Sequence, residues 1–144
     1  MDVQSGMAVS LCYIFEGTKV VNFCPETWMQ VKANCYFISV RRSTWAESNK
    51  HCSSHGAQLV VIEDEEGLEF LFLQCRRFLT FWIGLNRSPQ EEWRWVNNEL
   101  FNHSRWTLGV SAGGHCACVA QESIESLNCS SQHHWICRMA VANY

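Results

Sequence analysis

Nine cysteines in a chain of 144 residues constrain this fold more than any other feature of the sequence. Six of them fall at spacings that read as three disulfides around a Trp82-Ile83-Gly84-Leu85 core. Cys24 and Cys35 stand eleven residues apart and Cys116 and Cys129 thirteen, whereas Cys52 and Cys137 are remote in sequence. Two short loops and one long closure are how a small extracellular domain makes up for a core of limited size. The count is odd, so at least one thiol is left over as a free cysteine or an inter-chain bridge. Zinc is the competing use of four sulfurs. The chain has no Cys-x-x-Cys pair, however, and its single Cys-x-Cys (Cys116, Cys118) lacks a matching second half.

A chain of this length holds one domain comfortably. Its 47% hydrophobic content, with seven Trp and eight Phe, is enough for a packed core. A net charge of -3 argues against nucleic acid or an anionic membrane as the partner, because both require a basic face. No stretch approaches the ~20 apolar residues of a membrane helix. The segment from Met7 to Phe15 is broken by Ser10 and Cys12, with no basic n-region and no clear cleavage site. Residues 1–22 therefore read as a stalk or leader remnant, 23–140 as the domain and 141–144 as a tail. Any anchor is expected upstream of the residues given.

Periodicity supplies a coarse map. Trp28–Val31 and Asn34–Val40 read as short strands. Thr44 with Glu47 three residues on is a helix start, and Gly56 is placed to end that helix. Leu59–Ile62 is a brief apolar strand. The acids Glu63–Glu66 then open a second helix through Phe78, closed by Arg76-Arg77 at its negative end. Leu68, Leu71, Phe72 and Cys75 form its core-facing stripe. Strands follow at Phe81–Leu85, Trp93–Val96, Cys116–Ala120 and His133–Arg138. Asn97–Gly114 reads as a long loop without evident structural duty.

In order along the chain stand Cys24-Pro-x-x-Trp28, Cys35-Tyr36-Phe37-x-Ser39, Trp45, Cys52 and Leu59-Val60-Val61-Ile62. They are followed by Trp82-Ile83-Gly84-Leu85, Trp93-x-Trp95, Cys116, Cys129 and Trp135-Ile136-Cys137. This succession, from Phe23 to Met139, resembles the C-type lectin-like domain in its long form. Phe81–Asn86 with Trp93-x-Trp95 and Asn97 is most similar to natural-killer-cell receptors and their lectin-like ligands, subfamily B of the killer-cell lectin-like receptors first, with subfamilies F and G and the lectin-like ligand group as the alternatives. The resemblance implies an α+β fold, two helices packed on two small antiparallel sheets, stapled by Cys24–Cys35, Cys52–Cys137 and Cys116–Cys129. It implies no enzyme and no cofactor. It also implies a type II cell-surface ectodomain, of an immune receptor or of its lectin-like counter-ligand, that recognises a lectin-like or MHC-like protein on another cell without calcium. A secreted binding protein or decoy of the same fold, or a carbohydrate-binding lectin, are the alternatives.

Sugar-binding members of that family hold calcium through a Glu-Pro-Asn or Gln-Pro-Asp loop and a Trp-Asn-Asp strand. Calcium takes six to eight hard oxygens, several of them carboxylates. The corresponding loop here, Gly109–Gly114, carries no carboxylate, and Glu125-Ser-Leu-Asn128 stands before Cys129. Calcium-dependent sugar binding is therefore not expected, and no metal site is assigned. Trp82, Trp93, Trp95 and Trp135 match core positions. His133-His134 reads as a polar strand edge rather than a nucleophile pair.

Trp106 stands apart in the long loop, where packing and partner contact are both open. Aromatics and Arg dominate protein interfaces. The expected partner face accordingly comprises Asn98, Glu99, Phe101, His103, Arg105 and Trp106, joined by Ser123 and Glu125. Sequons at Asn86, Asn102 and Asn128 suit a secretory route. Of the remaining cysteines, Cys75 and Cys118 are expected to be buried near one another as a candidate fourth bridge. Cys12 is the candidate for a disulfide-linked homodimer.

Overall fold

A computed structural model describes residues 24–75, 79–110 and 113–141. Strands β1 (Met29–Val31) and β2 (Asn34–Ile38) form the N-terminal hairpin, with Lys32 in the left-handed region at its turn. Helix α1 (Trp45–Ser54) follows, then β3 (Gln58–Leu59), helix α2 (Glu65–Gln74) and β4 (Phe81–Asn86). The rest is β5 (Arg94–Trp95), β6 (Leu108–Gly109), β7 (Cys116–Ala120), β8 (Ser123–Leu127) and β9 (His134–Ala140).

Both helices start where local chemistry places them. The Thr44 hydroxyl accepts the Glu47 N–H at 3.2 Å while the Glu47 carboxylate accepts the Thr44 N–H at 3.3 Å, a complete capping box. Gly56, at φ +71°, turns the chain away just past the helix end. Asp64 caps α2 by accepting from Gly67 N at 2.7 Å, and Glu65 and Glu66 sit in its first turn. Cys12, Arg76, Arg77 and Phe78 lie outside the described residues.

The strands pair in the order β1-β2-β9-β4-β7-β8-β6, with β3 also on β9 and β5 on β4. The two small sheets are thus joined through β9. Two pairings depart from the antiparallel expectation: β4 runs parallel to β9, and β6 parallel to β8. Gly84 is required where these layers cross. A Cβ there would stand 2.6 Å from Leu59 O, because Gly84 N donates to Val60 O and Val96 N to Gly84 O. Leu59 to Ile62 are all buried, yet only Gln58–Leu59 is strand.

Sulfurs pin this frame at Cys24–Cys35, Cys52–Cys137 and Cys116–Cys129. Cys75 and Cys118 are both buried and unbonded. Strand alternation explains why. Along β7, Cys116 and Cys118 face the cluster of Trp45, Trp82 and Trp135, while Ala117 and Val119 face the cluster that includes α2 and Cys75. Cys75 Sγ instead donates to Leu71 O and Val119 O. Burial pushes the Cys75 thiol up to about 11. The Cys118 thiol is pushed up to about 12 by burial and, secondarily, by the Glu125 carboxylate. The candidate fourth bridge is therefore replaced by two inert thiols on opposite faces of one strand.

Candidate functional site

The segment after β5 is not a free loop. Trp93 and Trp95 alternate with Arg94, so both tryptophans go inward, 6% and 5% exposed. Asn98 takes a left-handed turn at φ 76°, which asparagine tolerates, and Asn97 Oδ1 accepts the Glu99 N–H at 3.0 Å. Trp95 N then donates to Glu99 O and Phe101 N to Trp93 O. This tight return sets the Phe101 ring 5.8 Å from that of Trp95.

A second turn follows at once. Asn102 Oδ1 accepts from Ser104 N at 2.9 Å, and Trp106 N donates to Asn102 O at 3.0 Å. Trp106 is thereby driven into the core. At 7% exposed, with Phe101 at 5%, it packs rather than presents itself. These two members of the expected partner face are corrected to core residues, and the loop has a structural duty after all. The reason is non-local: two Asn-based turns fold the segment back onto β5 and α2.

Arg105 is what the second turn leaves outside. Its guanidinium lies 4.6 Å from the Trp106 ring centroid and forks onto Glu65, Nη2 to Oε1 at 3.1 Å and Nε to Oε2 at 3.3 Å. That hydrogen bonding holds the Glu65 carboxyl below its ordinary range and raises the Arg105 guanidinium.

Around this pair opens a groove of about 440 Å³. Leu68, Phe72, Trp106 and Ile124 line it with apolar surface, and Arg105, Glu65, Glu122, Ser123 and Glu125 supply its polar groups. The Glu125 carboxylate lies over Gly109, where a Cβ would meet it. The fold thus brings Arg105, Trp106, Ser123 and Glu125 together. Asn98, Glu99 and His103 are exposed but do not line the groove. Sequence reasoning missed Glu65 and Glu122. The acidic run at the start of α2 carried the only signal for the first, and the turn between β7 and β8 gave none for the second.

Metal-ligand geometry is absent from this groove. Among the described residues the one set of three His, Cys or acidic groups whose ligand atoms converge is His51, Cys52 and Cys137. Its two sulfurs are bonded to each other. Of the sequons, Asn102 and Asn128 are exposed on turns, and Asn86 is half-buried at the end of β4.

Residues 41–139 match the family model described as the lectin C-type domain. Among curated proteins, the mouse killer cell lectin-like receptor subfamily B member 1B allele B is 35% identical over 118 residues. The alignment covers 80% of this chain and 53% of that protein. Human early activation antigen CD69 is 33% identical over 117 residues, covering 81% of this chain and 57% of that protein. The chain spans about half the length of these relatives.

Among solved structures, the C-type lectin domain of murine dendritic cell inhibitory receptor 2, in complex with N-glycan, superposes with a TM-score of 0.72 at 25% identity. It covers 82% of this chain and 99% of that one. The carbohydrate-recognition domain of the mouse scavenger receptor C-type lectin shares the fold at a TM-score of 0.75 and 23% identity, over 84% of this chain and 99% of its own.

Proposed function

This chain belongs to the C-type lectin domain family, and from that premise we propose that it is the recognition domain of a cell-surface immune receptor, or of its lectin-like counter-ligand. It takes a protein partner without calcium, on the face around Arg105. The partner class is a lectin-like or MHC-like surface protein. The observation that carries this reading is the groove beside Arg105 and Glu65. Its carboxylates do not converge with a third ligand into a metal site, and its one cation is already stacked and paired.

Such a surface suits a protein. Apolar walls at Leu68 and Phe72 surround a polar pair that is only modestly stabilising in water and can be re-paired by an incoming group. Asn98, Glu99 and His103 form the rim on the neighbouring turn. A glycan on Asn102 would shield part of that rim. Its relatives are named as receptors and an activation antigen, and the family is not an enzymatic one.

The test is surface plasmon resonance of the ectodomain against a panel of lectin-like and MHC-like ectodomains, with and without EGTA. Binding should survive chelation, and Arg105→Ala should weaken it about tenfold, as truncating an interface anchor does. Binding abolished by EGTA, or unchanged in Arg105→Ala with Glu125→Gln, overturns the reading. Trp106→Ala is unsuitable here, because removing a core residue confounds recognition with folding.

A further inference from the structure

A second groove, of about 520 Å³, runs along α1 on residues that the proposed partner face does not use. Arg41 and Arg42 enter it from the segment before the helix, and Lys50 and His51 from the helix itself. Arg41, Arg42 and Lys50 are exposed. The ion pairs among the described residues are Lys32–Glu66, Arg105–Glu65 and Arg138–Glu63, and none of them reaches these three cations. Glu47 is the one carboxylate in the groove, and it is engaged in the capping box, accepting from Thr44 N. Three cations therefore face a single committed acid, in a chain whose net charge is -3.

His51 adds a neutral donor. Trp135 Nε1 donates to its Nδ1 at 3.3 Å, so the ring proton resides on Nε2. Burial first, then His55 and Arg41, keep this imidazole below its ordinary pKa of 6.5. Arg41 and His55 add to burial in opposing a further positive charge on this ring, and a bound anion would offset their part of it.

Among the described residues none of the exposed large hydrophobic side chains lines the groove, and Trp135, which does, is only 3% exposed. The exposed side chains of the groove, Arg41, Arg42, Glu47, Lys50 and Ser54, are all charged or hydrogen-bonding. Recognition there can draw on charge and hydrogen bonds. Two planar guanidiniums from the segment before α1 and an ammonium from the helix, gathered in one groove, match oxyanions repeated along a flexible sugar chain. We propose that this groove binds a sulfated glycan through Arg41, Arg42, Lys50 and His51.

The probe is a fluorescent heparin-derived oligosaccharide titrated onto the ectodomain at several salt concentrations. Binding should weaken with salt. Arg42→Glu and Lys50→Glu should each cost about tenfold and lower the log–log salt slope by about one, as losing one cation contact to a polyanion does. Arg94→Glu makes the same charge change elsewhere and should leave both readings intact. Arg105→Ala should also leave them intact, which separates this site from the partner face. By NMR, the bound chain should raise the His51 titration midpoint. Four results overturn the proposal: no binding, equal binding of a desulfated chain, equal weakening by Arg94→Glu, or polyglutamate binding as tightly, which would make this a site for acidic peptide.

Discussion

The two helices are capped alike and charged in opposite ways. Around α2 every ion pair among the described residues is made: Glu63 with Arg138, Glu65 with Arg105, Glu66 with Lys32. Around α1 the cations Arg41, Arg42 and Lys50 have no such partner, and the helix is held instead by a buried disulfide and by Trp45 Nε1 donating to Ile83 O at 2.8 Å. The difference teaches where recognition can draw on charge. A cation already neutralised by a neighbour adds little field, whereas clustered cations without one raise the local potential and attract a counter-ion. On the α2 side the apolar walls, Arg stacking and shape must carry recognition. On the α1 side charge can.

The strongest way to break this contrast is to cut the covalent tie. Cys52 and Cys137 close a separation of 85 residues, so Cys52→Ala with Cys137→Ala should cost about 4–5 kcal/mol in the chain-entropy model. Urea unfolding would read this, and a loss under about 1 kcal/mol would mean that α1 is held by packing, as α2 is.

Trp106→Ala tests the other side, where packing and the Arg105–Glu65 pair, with no covalent tie, join the loop to α2. It should cost about 3–5 kcal/mol, the range for removing a large core aromatic. A near-neutral result would return Trp106 to the surface and revive it as a contact residue.

The caps should give matched, smaller effects. Thr44→Ala and Asp64→Ala should each lose about 1 kcal/mol, read by thermal unfolding. A much larger loss at Thr44 would show that Glu47, released from the capping box, disturbs the cationic groove.

The smallest effect is pH dependence. Burial, aided by Arg41 and His55 at His51 and by Arg42 and His134 at His133, holds both imidazoles below 6.5 in the folded state. The folded protein therefore binds fewer protons than the unfolded chain in this window. The resulting stability is complete above the unfolded pKa and is lost as pH falls through 6.5 toward the folded values. Unfolding midpoints should be lower at about pH 5.5 than at about pH 7.5, and His51→Gln should flatten the difference. A midpoint that rises on acidification would refute the lowered imidazole pKa assigned to these two histidines.

Much of this was legible from neighbours in sequence. The Thr44–Glu47 cap, Gly56 past the helix end, Asp64 with its acidic turn and the Trp93/Trp95 alternation are all short-range devices, and each stands in the fold. The apolar run from Leu59 to Ile62 announced burial but not pairing, because a short run of that kind has no period to distinguish strand from packed coil. β6 pairs parallel with β8, and no local signal marks a two-residue strand whose partner is remote.

By itself the sequence determined the family, the starts of both helices, and the core tryptophans at 82, 93, 95 and 135. Those follow from residue type and near spacing. Only the tertiary structure decided that Phe101 and Trp106 turn inward, that Glu65 pairs with Arg105 across forty residues, and that Cys75 and Cys118 lie on opposite faces of β7. It also decided that Arg41, Arg42 and Lys50 share one groove. Each of these depends on which surfaces meet after the chain has closed on itself, and a one-dimensional pattern does not carry that information.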